Sequence, residues 1–489
     1  MSVMIHDALY WAEQLKKQKI SFEELLTLIE NRVEKDNPQI NALLTFAKED
    51  AKKQYEASKN IEKTPFAGLP LPLKMLGQDK KGWLSTAGSH LLKTNRAPAS
   101  NHFVQALETA GLIPLGQTNA PEFGFKNVTD PTLYGNTRNP WNLDYSPGGS
   151  SGGAAASVAS GMFPLAAASD GGGSIRIPAS FSGLIGLKPT RGTVPVGPAG
   201  FRAWQGASIS FALNVSMRDT KTLFYAIRGT EKAAPYQAPK VEWEHTRSAN
   251  KKELKIAFVT TSPVESEVSK EAMTAVKNAV SFLTKEGHRI EEISLPIEGK
   301  KLMQSYYHMN GAETAAMIEE LSYNLARPIE KEDMELMSWG LYQYGLKQSA
   351  ASYIHNLNTW DQAAAQMEEL FENYDLLLTP TTAYSAPKIT DDLQSNTIRA
   401  QLAQIQNYSL KQAGDLVYEM FDKSLRFSPF TQLANLTGQP AISLPTHLTN
   451  EDLPLGIQFM AAKGREDLLF EVGELFENNQ QFHLPAYYQ

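Results

Sequence analysis

The segment from residue 145 to residue 200 constrains the fold more than any other part of the sequence. It is rich in Gly, Ser, Ala and Pro, as a linker would be, but it also carries apolar blocks of helix and strand length. Residues 154–161 predict a helix of small residues that ends at Gly161, and residues 163–168 predict a buried strand. The segment is therefore predicted to be a folded part of the protein.

Two glycine-rich turns flank this helix and strand, and each contains a serine. Gly-Gly-Ser-Ser-Gly-Gly holds Ser150, and Gly-Gly-Gly-Ser holds Ser174. A helix of about ten residues advances roughly 15 Å and a returning strand of about six residues covers roughly 20 Å, so the chain can bring Ser174 back near Ser150. The N–H groups of Gly171, Gly172 and Gly173 can converge on one point just before Ser174, which predicts an oxyanion hole.

A serine nucleophile needs a base, and Lys74 is our candidate. No histidine occurs between His102 and His245, which weakens the case for a Ser-His-Asp triad. Lys74 lies inside the apolar run Leu-Pro-Leu-Lys-Met-Leu, where burial would lower its pKa and leave it neutral.

Each of these features also has a purely structural interpretation. A glycine–serine run is often a flexible loop, and a single lysine in an apolar run often extends to the solvent. We interpret Asp170 and Arg176 as a structural ion pair. The prediction of catalysis depends on the two serines and the lysine occurring together.

The rest of the chain alternates helical and strand patterns, which is typical of an α/β protein. Residues 1–60 are predicted to be helical, with Ser21 as an N-cap. The predicted strands are residues 112–116, 254–259, 376–380 and 441–445. The predicted helices are residues 101–110 and 269–286, and most of 300–375. Residues 230–253 are polar and predict a connection across the surface.

Composition excludes several classes of function. The net charge of -7 argues against nucleic acid as the main partner, and the absence of cysteine excludes thiol catalysis and disulfides. We find neither a metal-ligand motif such as His-Glu-x-x-His nor a P-loop, so we expect no metal and no cofactor. An apolar run of signal-peptide or membrane-spanning length is also missing, so we expect a cytoplasmic protein without a membrane partner.

Several motifs together resemble the amidase signature family. They are residues 148–153, Ser174 in Gly-Gly-Ser-Ile-Arg-Ile-Pro 24 residues after Ser150, and residues 183–190, which read Gly-Leu-Ile-Gly-Leu-Lys-Pro-Thr. Shorter similarities extend over residues 5 to 480 or so. The resemblance implies one α/β domain over residues 1–489, in the amidase-signature fold with a central mixed β-sheet flanked by α-helices.

The family's organisation divides this domain into three parts. Residues 1–65 would form a helical N-terminal part, residues 66–220 the catalytic core, and residues 300–430 a variable helical region around the substrate. Among the aromatic residues of this last region, we single out four that would line the pocket or belong to the core: Tyr306, Tyr307, Trp339 and Tyr342.

The resemblance also implies a Ser–cis-Ser–Lys triad that forms an acyl-enzyme. Ser174 would be the nucleophile, Ser150 the bridging serine in a cis peptide, and Lys74 the base. The implied activity is hydrolysis of a carbon–nitrogen amide bond in a small-molecule substrate, by a monomer or homodimer.

Residues 125–131 and 169–173 are most similar to family members that hydrolyse cyclic oligoamides, so the substrate is expected to be a small amide or a linear or cyclic oligoamide. Two alternatives stay open at this point. One is the glutaminase (A) subunit of a tRNA-dependent amidotransferase, and the other is a non-catalytic relative that only binds a ligand.

Overall fold

Two β-sheets and the helices around them form the protein, which a computed structural model describes over residues 5–239 and 253–489. The strands are β1 (Leu43–Phe46), β2 (Leu69–Lys74), β3 (Leu112–Thr118), β4 (Leu165–Asp170), β5 (Ile185–Lys188), β6 (Ile209–Asn214), β7 (Lys255–Phe258), β8 (Arg289–Glu292), β9 (Leu376–Pro380), β10 (Ala441–Leu448) and β11 (Pro454–Met460). The helices are α1 (Ala8–Lys16), α2 (Phe22–Ile40), α3 (Lys48–Ala57), α4 (His102–Thr109), α5 (Gly152–Ala159), α6 (Arg176–Ser182), α7 (Met217–Ile227), α8 (Lys270–Lys285), α9 (Gly299–Leu325), α10 (Leu336–Gly345), α11 (Ala350–Asn373), α12 (Asn396–Leu402), α13 (Leu410–Phe427), α14 (Gln432–Thr437) and α15 (Glu466–Asn478).

The large sheet has eight strands in the order β4-β6-β5-β10-β11-β9-β7-β8. Neighbouring strands are antiparallel from β4 to β9, whereas β7 is parallel to both β9 and β8. The predicted α/β class and mixed sheet are therefore confirmed.

A second sheet of three strands, in the order β1-β3-β2, was not predicted. Its strand β1 has four residues and lies between two helices, in the part of the chain that we expected to be helical. So short a strand has too few residues to show a periodicity, and it forms because β3 offers it backbone partners.

Most other predicted elements are present, with shifted ends. Ser21 caps α2 in a capping box, in which its Oγ accepts from the Glu24 N–H at 3.2 Å and the Glu24 carboxylate accepts from the Ser21 N–H at 2.8 Å. The strand predicted over residues 163–168 is β4, which begins and ends two residues later and so includes the polar Asp170. Asp170 can lie in a buried strand because the Arg176 guanidinium pairs with it there.

One hydrophobic cluster contains Ala8 from α1, Phe211 from β6 and Phe476 from α15. Contact between such distant parts of the chain is expected of the single domain that we propose. Residues 240–252, most of the predicted surface connection, and residues 1–4 lie outside the described residues. Of the helices in the described part of the chain, none is both long and apolar enough to cross a membrane.

Candidate active site

Lys74 is the last residue of β2, and its side chain is fully buried. Its Nζ lies 2.7 Å from Ser150 Oγ and 3.0 Å from Ser169 Oγ. Burial lowers the pKa of Lys74 to about 7, against the opposing attraction of the Asp170 carboxylate. A large fraction of this lysine is therefore neutral near pH 7 and can accept a proton. Nothing in the local sequence marks Ser169 as a neighbour of Lys74, although it stands beside the predicted ion-pair residue Asp170.

Ser150 lies in the turn that leads into α5. The Gly149–Ser150 peptide bond is cis, as the family resemblance implies. The Thr129 hydroxyl donates to the Gly148 carbonyl at 2.9 Å and accepts from the Gly152 N–H at 3.1 Å, so one side chain holds both ends of this turn.

Ser174 lies in the second glycine turn, between β4 and α6, and the Asp170 carboxylate organises this turn. That carboxylate accepts from the Gly173 N–H at 2.6 Å and the Ile175 N–H at 3.2 Å, and it pairs with Arg176 at 2.9 Å. Burial acts to raise the pKa of Asp170, but the Arg176 guanidinium outweighs burial and lowers this pKa to about 2. Asp170 and Arg176 thus form the buried ion pair that the sequence indicated.

The N–H groups of the second turn are not equivalent. The Gly173 N–H donates to Asp170, so it is already occupied in this structure. Among the described residues, the N–H groups of Gly171, Gly172 and Ser174 donate no hydrogen bond. Of the three predicted donors, Gly171 and Gly172 thus keep an N–H group that is unpaired in the described part of the chain, whereas the Gly173 N–H is paired with Asp170.

The carbonyl groups of the same turn are held from the far part of the chain. The Tyr306 hydroxyl on α9 donates to the Gly171 carbonyl at 2.9 Å, and the Thr431 hydroxyl donates to the Gly172 carbonyl at 2.8 Å. Two hydroxyl groups therefore fix the direction of both peptide units. Nothing in the local sequence of either hydroxyl residue indicated this role.

Ser150 and Ser174 both line a cleft of about 400 Å³. The Ser174 hydroxyl forms no hydrogen bond with another residue in the described ranges. The aromatic residues around the cleft are Phe103, Phe123, Phe125, Trp204, Tyr306, Tyr307 and Phe421.

Of the four aromatic residues that the sequence left open, Tyr306 and Tyr307 line the cleft. Trp339 and Tyr342 do not line the cleft but pack against each other, with ring centroids 5.8 Å apart, in the apolar cluster that contains Ile318 and the cleft residue Phe123. The charged residues that line the cleft in the described part of the chain are Asp79 and Lys126. No group of three His, Asp or Glu side chains within the described ranges is arranged to hold a metal ion.

The sequence matches the Amidase family over residues 24–470. The chain therefore belongs to the amidase family, and it is an enzyme that acts on carbon–nitrogen amide bonds other than peptide bonds.

Two relatives are similar over almost the whole chain. The lipoamidase of Enterococcus faecalis is 39% identical over 481 residues, which are 98% of this chain and 64% of that protein. This chain thus spans about two thirds of the length of that relative. The 6-aminohexanoate-cyclic-dimer hydrolase of Paenarthrobacter ureafaciens is 32% identical over 480 residues, which are 96% of this chain and 94% of that protein.

Solved structures agree with these similarities. The structure of 6-aminohexanoate cyclic dimer hydrolase complexed with substrate has a TM-score of 0.88 and 31% identity, and the match covers 99% of each chain. A bacterial aryl acylamidase has a TM-score of 0.83 and 25% identity, covering 100% of this chain and 98% of the other. The similarity to cyclic oligoamide hydrolases that the motifs indicated is confirmed.

Proposed function

We propose that this amidase forms an acyl-enzyme through Ser174, with Ser150 as a proton relay and Lys74 as the base. The observation that carries the proposal is the 2.7 Å contact between Lys74 Nζ and Ser150 Oγ, made by a buried lysine whose pKa is lowered to about 7. A neutral amine at this position can take a proton that a lysine with its ordinary pKa could not take.

In the first half of the reaction, Ser174 Oγ attacks the amide carbon while its proton passes to Ser150, and the Ser150 proton passes to Lys74. The oxyanion accepts hydrogen bonds from the free N–H groups of Gly171, Gly172 and Ser174. When the carbon–nitrogen bond breaks, Lys74 returns a proton through Ser150 to the departing amine. The acyl group is left as an ester on Ser174.

In the second half, a water molecule attacks the ester carbon and gives its proton to Lys74 through Ser150. The carbon–oxygen bond to Ser174 then breaks, and the proton returns to Ser174 Oγ. The acid leaves, and neither step needs a metal or a cofactor.

For the substrate, we propose an amide with an apolar chain of lipoyl or aminohexanoyl size. Seven aromatic residues line the cleft. Its cation Lys126 is already paired with Asp130 at 3.1 Å and Glu335 at 2.6 Å. This charge pattern favours an apolar group over a free amino acid such as glutamine. The similarity to a lipoamidase and to a cyclic-dimer hydrolase supports the same substrate class. We propose that the enzyme acts on such small molecules in the cytoplasm, as a monomer or homodimer.

Covalent labelling tests the mechanism. A fluorophosphonate probe should label the wild type, and Ser174→Ala should abolish labelling. Ser424→Ala is a matched control, because Ser424 also lines the cleft but its hydroxyl donates to the Phe421 carbonyl at 2.9 Å, and this variant should keep the label. Persistent labelling of Ser174→Ala would refute the assignment of the nucleophile.

A further inference from the structure

The connection between β5 and β6 supplies one wall of the cleft. We call residues 202–208 the strap, and its residues Trp204 and Ser208 line the cleft. The indole ring of Trp204 contacts the ring of Phe125, with centroids 6.0 Å apart and planes tilted by 33°. The two rings therefore form one continuous aromatic surface beside the catalytic serines.

The backbone of the strap is strained where it presents this ring. Trp204 has φ 51° and ψ 45°, and the next residue, Gln205, has φ 50° and ψ 37°. Both are in the left-handed region, which bulky residues with a Cβ rarely adopt. Two such residues in succession persist only where their surroundings hold them, and strain of this kind is concentrated at functional sites.

Side chains from distant elements hold the strap in this conformation. Gln205 Nε2 donates to Glu313 on α9 at 2.7 Å, and the Tyr353 hydroxyl on α11 donates to the same carboxylate oxygen at 2.8 Å. The Tyr236 hydroxyl donates to Gln205 Oε1 at 3.2 Å. Arg191 Nε donates to the Gly206 carbonyl at 2.9 Å.

The strap is also connected to the catalytic turn. Asn435 Nδ2 lies 2.9 Å from both the Asp170 carbonyl and the Ala207 carbonyl, so one amide group donates to the turn and to the strap. The position of the indole ring is therefore fixed relative to the turn that carries Ser174.

We propose that Trp204 is a specificity-determining residue that limits the size of the substrate, and that Gln205 positions it by its hydrogen bond to Glu313. The proposal rests on the proposed function, because it concerns the same cleft. Because hydrogen bonds at Gln205, Gly206 and Ala207 hold this segment, the strap does not retreat as a unit to admit a larger group. Removing the ring opens space that is continuous with the cleft, and larger substrates then gain contacts while small ones gain none.

Two substrate series test the role of Trp204. One is a set of p-nitroanilides of unbranched acids of increasing length, and the other is a set of octanoyl amides of amines of increasing size. In Trp204→Ala, the ratio of kcat/KM for the largest to the smallest member should rise about tenfold or more in at least one series. Trp204→Phe keeps a smaller ring and should shift the ratio less. Trp11→Ala, which removes a partly buried tryptophan from α1 outside the cleft, should leave both ratios unchanged.

Unchanged ratios in both series for Trp204→Ala, in a variant that still labels with fluorophosphonate, would overturn the proposal. A wild type that hydrolyses no member of either series and takes no label would instead refute the proposed function. The two failures are therefore distinguishable.

The hydrogen bond between Gln205 and Glu313 is tested separately. Gln205→Ala and Glu313→Ala should each shift the size ratio in the direction of Trp204→Ala, and the double variant should shift it no further, because both changes break one interaction. A purely structural role would lower the unfolding temperature without moving the ratio. That result would refute the positioning role of Gln205.

Discussion

The lowered pKa of the buried Lys74 predicts how catalysis depends on pH. With its pKa lowered to about 7, roughly half of Lys74 is neutral at pH 7, whereas a lysine at its ordinary pKa would be neutral in only about 3 molecules in 10,000. A plot of kcat/KM against pH reports ionisations of the free enzyme. We expect it to rise through one ionisation near pH 7 and then to stay level on the alkaline side.

Substitutions separate the base from a structural lysine. Lys74→Ala should lower kcat/KM by about 10²-fold or more, and Lys74→Arg should not restore it, because a guanidinium stays charged. Lys16→Ala is a suitable control, since that exposed lysine on α1 donates to the Pro65 carbonyl and does not line the cleft. A wild-type profile that rises only near pH 10, or a Lys74→Ala enzyme with nearly full activity at pH 7, would refute this reasoning.

The same pKa shift predicts how stability depends on pH. In the unfolded chain Lys74 is protonated below pH 10.5, whereas in the folded protein it is protonated only near pH 7 and below. Between these two pH values the unfolded chain binds more protons than the folded protein, so the free energy of unfolding increases as the pH rises. Relative to Lys74→Met, the wild type should gain about 4 kcal/mol of unfolding free energy between pH 7 and pH 10.5. Urea unfolding at the two pH values measures this gain, and parallel stability curves for the two proteins would contradict it.

Three further predictions concern two residues beside the site and the independence of the reaction from metal ions. Tyr306→Phe removes the hydrogen bond to the Gly171 carbonyl, so kcat should fall several-fold in steady-state assays while KM changes little. A change in KM alone would show that Tyr306 only contacts the substrate. Asp170→Asn breaks the fully buried ion pair with Arg176 and should destabilise the protein by about 3–5 kcal/mol in urea unfolding. The control Asp467→Asn breaks the more exposed pair with Arg465 and should cost less than about 1 kcal/mol. Equal losses of stability in the two variants would contradict this difference. Activity should survive dialysis against EDTA, and activity that is lost and then restored by zinc or manganese would disprove a metal-free mechanism.

Local chemistry made much of this protein predictable from its sequence. The glycine turns around Ser150 and Ser174, the small-residue helix and the returning strand follow from fixed helix and strand geometry and from the few residues that tight turns accept. Lys74 could be named because a charge inside an apolar run must either reach the solvent or lose its proton. The α/β class followed from the alternation of strand and helix patterns, and the mixed sheet from the family resemblance.

Tertiary structure alone decided what surrounds these residues. Tyr306 reaches the Gly171 carbonyl from 135 positions away, and Gln205 meets Glu313 across 108 positions, so no local pattern could indicate either contact. Trp204 lines the cleft where Glu313, far along the chain, holds the strained backbone through Gln205. Side chains far apart in sequence meet only through the packing of whole elements, which depends on the sum of many weak contacts rather than on any short motif.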